Sequence, residues 1–167
     1  VIMRRLLVLI LPVLLLCSGC GVYSFTGASI EGKSINIHTF DNRARNVVPS
    51  LSPNLTSKIR ARILTQTGLT PVAVGEADYD ITGTITGYEV TVSGVANTQQ
   101  ATQNRLTITL SVVFKNKLNE KADFTQTFSR FADFPASQTV EAVESSLMET
   151  IGNQLADDIF NKAFVNW

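Results

Sequence analysis

The side chains with the richest chemistry are scarce in this chain: a single histidine, His38, and two cysteines, Cys17 and Cys20. A bound zinc ion is held by about four nitrogen, sulfur or carboxylate donors, and no cysteine lies beyond Cys20 to join His38. No metal site is expected. Nucleophilic hydrolysis would require His38 to bridge a serine and an acid, and the sharp Gly-x-Ser-x-Gly turn that presents such a serine is missing from the sequence. Asp78 and Asp80 stand two apart at a strand entrance, a spacing that suits turn residues and solvated charges better than an acid and base pair. The chain is therefore expected not to be an enzyme and to need no cofactor. A nucleotide-cradling glycine loop is not expected either.

The setting of Cys20 points to a different use for a thiol. Arg4 and Arg5 precede the apolar run Leu6 to Leu16, and the small residues Ser18 and Gly19 follow. That is the three-part layout of a secretory signal. The apolar run is about 11 residues, against roughly 20 for a helix that crosses a bilayer core, and Pro12 weakens such a helix further. Ser18-Gly19-Cys20 resembles a bacterial lipobox, in which the cysteine sulfur takes up a diacylglycerol; Cys17 stands where that pattern prefers Leu. The expectation is a signal peptide over residues 1–19, lipid attachment at Cys20 with acyl chains such as palmitate, and membrane binding through those chains. The alternative is a plain secretory signal with an incidental cysteine. With Cys17 removed and Cys20 acylated, the mature domain has no disulfide.

Taking Arg4 and Arg5 from the 14 basic residues leaves 12 against 14 acidic ones, a near-neutral balance that does not suit a general nucleic-acid binder. Residues 20–32 are Gly- and Ser-containing and weakly patterned, so they are expected to form a lipidated tether. Residues 33–167 then make a single α+β domain with one core.

The elements that would position any site follow from periodicity. Ile35 and Ile37 alternate with polar residues over Lys33 to Phe40, as in a half-buried strand, and Asp41-Asn42 is expected to end it in a turn. Ser52-Pro53 opens a helix with Ser as its cap, running to about Thr67 with Leu55, Ile59 and Ile63 on one stripe and Gly68 as its stop. Three strands are expected at Asp78 to Val92, with a bulge near Gly87, at Arg105 to Lys117 and at Ala122 to Phe131, joined as an antiparallel meander. Pro135 to Trp167 reads as a long helix capped by Ser137, with Leu147, Ile151, Leu155 and Ile159 on its stripe and Gly152 packed against a strand. The fold class is α+β: a four-stranded, mostly antiparallel sheet with two amphipathic helices packed on one face.

Two helices cover one face of such a sheet and leave the other open. Strand parity puts Thr82, Thr84 and Thr86, then Thr107, Thr109 and Ser111, then Thr125, Thr127 and Ser129 on that open face. Two readings stay open: threonine as a strand former on a solvated face, or a flat, neutral, hydrogen-bonding surface that lies against another protein. Arg105, Lys115, Lys117, Lys121 and Arg130 gather near the second and third long strands, as contacts for phosphate groups or as solvated charges.

Several stretches together carry a family resemblance: the lipobox, Gly21-Val22-Tyr23-Ser24-Phe25, the strand with Ile35-Asn36-Ile37, the Ser52-Pro53 helix, and Ala77-Asp78-Tyr79-Asp80-Ile81-Thr82-Gly83. Their order over the whole mature chain resembles the lipopolysaccharide-assembly lipoproteins of the LptE family, in the form found in Bacteroidetes-type bacteria. The resemblance implies an outer-membrane lipoprotein on the periplasmic face. It would partner and plug the large barrel LptD, assisting its assembly and the delivery of lipopolysaccharide to the outer leaflet. It supplies no residue-level lipid site.

A reading of another class is an accessory lipoprotein that activates a cell-wall synthase or serves an envelope ABC transporter, since Ile35 to Phe40 followed by Asp41-Asn42-Arg43 resembles the opening of such proteins. A third is a carrier with an apolar lipid cavity between helices and sheet.

Overall fold

The computed structural model describes residues 30–46, 48–73, 75–95 and 101–165. The signal peptide, Cys20 and the tether as far as residue 29 lie outside the described residues. The chain is α+β, with strands β1 (Ser34–Ile37), β2 (Asp41–Asn42), β3 (Thr70–Pro71), β4 (Tyr79–Val95), β5 (Ala101–Asn116) and β6 (Phe124–Pro135), and helices α1 (Leu51–Thr67) and α2 (Val140–Phe164).

The sheet has six strands in place of the expected four and is mixed. Its order is β3-β1-β4-β5-β6, with β2 also paired to β4. The β4–β5 and β5–β6 pairs are antiparallel, whereas β1 and β2 run parallel to β4, and β3 runs parallel to β1. The parallel half follows from connectivity. A parallel neighbour needs a crossover of a dozen or more residues, and α1 supplies it between β1 and β4. Asp41-Asn42 retains turn chemistry, Asn42 Oδ1 accepting from the Ala44 N–H at 3.1 Å, yet pairs with Thr84 and Ile85 as a strand.

The expected alternation holds in β5, where Leu106, Ile108, Leu110, Val112 and Phe114 are each 0% exposed. They meet the α1 stripe of Leu51, Leu55, Ile59 and Ile63 and the α2 stripe of Leu147, Ile151, Leu155 and Ile159 in one core. Burying each such side chain contributes about 1.5–3 kcal/mol. The register of β4 shifts between Ile85 and Gly87, so Tyr88 rejoins the core face while Gly87 leaves it for the open one, where it pairs with Thr109.

Helix starts differ from the expected ones. α1 begins at Leu51, and Ser52 does not cap it: its hydroxyl donates to the Phe40 carbonyl, while the Phe40 N–H is taken by Thr56 Oγ1 at 3.0 Å. The first turns of α1 therefore hold the break between β1 and β2 and drive Phe40 inward over Gly83. A Cβ at Gly83 would lie 2.7 Å from the Phe40 ring. The end is as expected, with Gly68 left-handed at φ 66° and its N–H on the Leu64 carbonyl at 3.0 Å. α2 starts later than Pro135, capped by Thr139 rather than Ser137. Gly152 makes its close approach to α1, not to a strand: a Cβ there would meet Lys58 Cδ at 2.6 Å.

At the end of the sheet where the described chain begins, Tyr79, Phe114, Phe124 and Phe164 form an aromatic cluster with centroids 5.3–5.9 Å apart. Gly32 donates its N–H to the Tyr79 hydroxyl at 3.0 Å, and Ile30 packs on the core.

Candidate interaction face

The candidate site is the sheet face away from the helices, and strand register fixes its layout. Crossing β4, β5 and β6, successive rows are Thr82, Val113, Thr125; Thr84, Ser111, Thr127; Gly87, Thr109, Ser129; Glu89, Thr107, Phe131; and Thr91, Arg105, Asp133. Eight of the nine hydroxyl residues read from the sequence fall into these rows, and Thr86 sits in the bulge. There its hydroxyl reaches the Thr109 carbonyl at 3.4 Å. Thr109 and Ser129 hydroxyls lie 3.1 Å apart, a cross-strand bond that leaves each with remaining capacity for a partner. Along β6 the residues Thr125, Thr127 and Ser129 are exposed, while Thr82, Thr84, Thr107, Thr109 and Ser111 are half-buried by their neighbours.

The hydroxyl field ends at a feature that sequence parity did not single out. Phe131 is 48% exposed on this face, and the Arg105 guanidinium carbon lies 3.7 Å from its ring centroid. Arg105 is locked there by a two-pronged pair with Asp133, at 2.7 and 2.9 Å. The Arg105 bond is the main reason the Asp133 carboxyl is held below its ordinary range. An exposed aromatic with an orientated arginine on one side is a ready anchor for a protein surface. The signal for it was present as Arg105 and Phe131 sharing one parity on adjacent strands, but register was needed to bring them opposite Asp133 and Thr107.

The five cations singled out in the sequence are not brought into one patch. Arg105 and Lys115 share the open face but are ten residues, about 33 Å, apart along β5. Arg130 has the opposite parity and turns to α2, pairing with Asp158 at 2.6 Å through both nitrogens. Lys115 pairs with Asp123 at 2.8 Å and Lys117 with Glu76 at 3.7 Å. Of the five, Lys121 alone has no carboxylate partner among the described residues; it stands exposed in the short 3-10 turn between β5 and β6.

His38 is exposed, its Nε2 2.9 Å from Asp80 Oδ2 and 3.0 Å from Asn36 Nδ2. Among the described residues no serine joins that pair by a hydrogen bond, and no group of three His, Cys, Asp or Glu is placed to hold a metal. Gly27 to Ser34 spells Gly-x-x-x-x-Gly-Lys-Ser, the phosphate-loop pattern, which the sequence reading passed over. That motif needs a helix opening at its Lys-Ser. Here Ser34 opens strand β1, and the N–H groups of Lys33 and Ser34 are given to the Asp78 carboxylate at 2.7 and 3.0 Å. Between the helices and the sheet, Ile59, Leu110, Ile151 and Leu155 are packed in one layer at 0% exposure. Among the described residues no helix is long and apolar enough to cross a membrane.

The fold is shared with solved bacterial proteins. A minor lipoprotein from Acinetobacter baumannii aligns at TM-score 0.50 and 14% identity, over 80% of this chain and 93% of that one. Rare lipoprotein B from Shewanella oneidensis aligns at 0.51 and 15%, over 77% and 91%, and a hypothetical protein from Chlamydia trachomatis at 0.55 and 7%, over 79% and 98%. At these identities the likeness is one of fold. A search of curated proteins returns no match. The family itself is defined by sequence: residues 32–163 match LptE, described as lipopolysaccharide-assembly, and the chain belongs to that family.

Proposed function

We propose that this chain is a non-enzymatic accessory lipoprotein of lipopolysaccharide transport, anchored through Cys20 to the periplasmic side of the outer membrane and seated in the lumen of an LptD-type barrel. Family membership and the lipoprotein neighbours support the transport role and the anchor. The observation that carries the barrel partnership is the open face: three long strands whose outward side is neutral and hydroxyl-lined, ending in the Arg105, Phe131 and Asp133 anchor, while both helices are spent on the other side. A polar lumen wall offers donors and acceptors that such a face can exchange for water at little cost. Lys121, with Lys115 and Lys117 near the same turn, is the candidate contact for lipid phosphates.

The experiment is Thr109→Glu with Thr127→Glu in the full chain, recovered by affinity from detergent-solubilised outer membranes. Glutamates are nearly free on a wet face but cost several kcal/mol when buried unpaired. The expected result is an unchanged melting temperature with loss of a copurifying barrel. Wild-type recovery of the barrel would mean that this face is simply solvated, and recovery of a cell-wall synthase or a transporter subunit instead would move the protein to that other accessory role.

A further inference from the structure

The two edges of the sheet are built differently. On one side β3 is two residues long and ends in Pro71, and the nearby Ile37 carbonyl of β1 is occupied by Arg60 Nη2 at 2.7 Å. On the other side β6 runs for twelve residues, with its one proline in last place and no lysine. Its single cation, Arg130, is drawn onto α2 by Asp158, and Asp133 is drawn back to β5 by Arg105. Pairing with β5 shows no register shift. Long edges are normally guarded by lysine, proline, bulges or a covering element; β6 carries none of the first three from Phe124 to Phe134.

Which backbone groups are free follows from one bond. The Ala136 N–H donates to the Thr102 carbonyl at 3.1 Å, in the same register that pairs Pro135 with Gln103 and Phe124 with Phe114. Antiparallel strands alternate, so even-numbered residues of β6 turn their N–H and C=O to β5. Thr125, Thr127, Ser129, Phe131 and Asp133 then aim theirs outward, and none of these groups has a hydrogen-bond partner among the described residues. A surface groove of about 410 Å³ follows the edge, between β6 residues 126–130 and Asp158, Asn161 and Lys162 of α2.

We infer that β6 is a docking strand, to which an extended segment of the barrel-type partner adds as one further strand of the sheet. This rests on the partnership proposed above. The hydroxyl face beside the edge selects that occupant. Thr125, Thr127 and Ser129 present hydroxyls to the open face and backbone to the edge, so a partner covering the face arrives at the edge already aligned. Main-chain bonds then supply affinity, and the groove wall, with Asp158 and Lys162 of opposite sign, favours a polar segment.

Thr127→Pro tests it. The Thr127 N–H points outward, so a proline there removes no bond within the sheet and blocks only an added strand; Thr127→Ala removes the hydroxyl and keeps the N–H. With the full chain in detergent, Thr127→Pro should lower recovery of the barrel at least tenfold below that of Thr127→Ala, which loses the same hydroxyl but keeps the N–H. Wild-type recovery with Thr127→Pro while Thr109→Glu loses the barrel overturns strand addition and leaves the face reading standing. Loss with Thr127→Pro and none with Thr109→Glu supports the edge and removes the face. If Thr127→Pro melts early, amide exchange in the unmutated protein decides. Slowing at Thr125, Thr127 and Ser129 on joining the complex supports the inference, and unchanged rates overturn it. A dimer of the purified chain that Thr127→Pro separates would place a second copy on the edge, and would also overturn it.

Discussion

Asp78 shows how much one carboxylate does at the point where the described chain enters the sheet. Its Oδ2 accepts from the Lys33 and Ser34 N–H groups and from the Ser34 hydroxyl, tying β1 to β4 before their ladder begins. Those bonds, the Lys33 N–H first, hold its carboxyl below the ordinary range. A depressed folded pKa contributes stability that is present above the unfolded value, about 3.9, and is lost as pH falls through the lower folded one. Melting temperature should therefore fall from about pH 4 downward, and Asp78→Asn should flatten that acid limb while lowering the plateau near neutral pH. An unchanged acid limb in the variant would show that Asp78 is not among the groups responsible. In the sequence Asp78 reads as a turn or solvated residue, because its partners, two backbone N–H groups and the Ser34 hydroxyl, lie more than forty positions away and no local pattern names them. Gly83 is similar: its place on the core face was legible from parity, but the reason for a glycine lies in Phe40, brought over it by α1.

At the scale of elements, periodicity was a sound guide wherever a face is buried against something large. The stripes of α1 and α2 and the alternation of β5 were legible because burial on one side imposes them. The strand count was not, since β2 and β3 are two residues each, too short for any period, and exist only because β1 and β4 offer them partners. Capping was legible at Gly68 and misplaced at Ser52, where tertiary demand from the Phe40 carbonyl outweighed the local cap. The hydroxyl rows were legible as parity, and β6 as an edge or bent strand, whereas the grouping of Arg105, Phe131 and Asp133 emerged only from register. The two faces should differ sharply in energy. Leu110→Ala or Leu155→Ala should cost about 2–5 kcal/mol, since each leaves a void in a filled layer. Thr109→Ala loses one exposed hydrogen bond and should cost about 1 kcal/mol or less. Chemical denaturation of the three variants measures this, and equal losses at Thr109 and Leu110 would contradict the layering.

For the whole molecule, lipid attachment and fold are expected to be separable. The described core elements begin at Ser34, fourteen positions after Cys20, so Cys20→Ala should abolish fatty-acid labelling and membrane retention while leaving the melting temperature unchanged. Labelling of the variant at the wild-type level would remove Cys20 as the attachment point. The Gly32 clamp on Tyr79 then acquires a mechanical meaning. It fixes Gly32 at one end of the sheet, and ten residues such as 20–29 can span at most roughly 35 Å at about 3.5 Å each. If the proposed lipid sits on Cys20, the body is held within that distance of the bilayer, which would raise its effective concentration near membrane-embedded targets. The same anchor would give the molecule a polarity, with the aromatic end toward the lipid and the far tips of β4 and β5, about 50 Å along the strands, away from it.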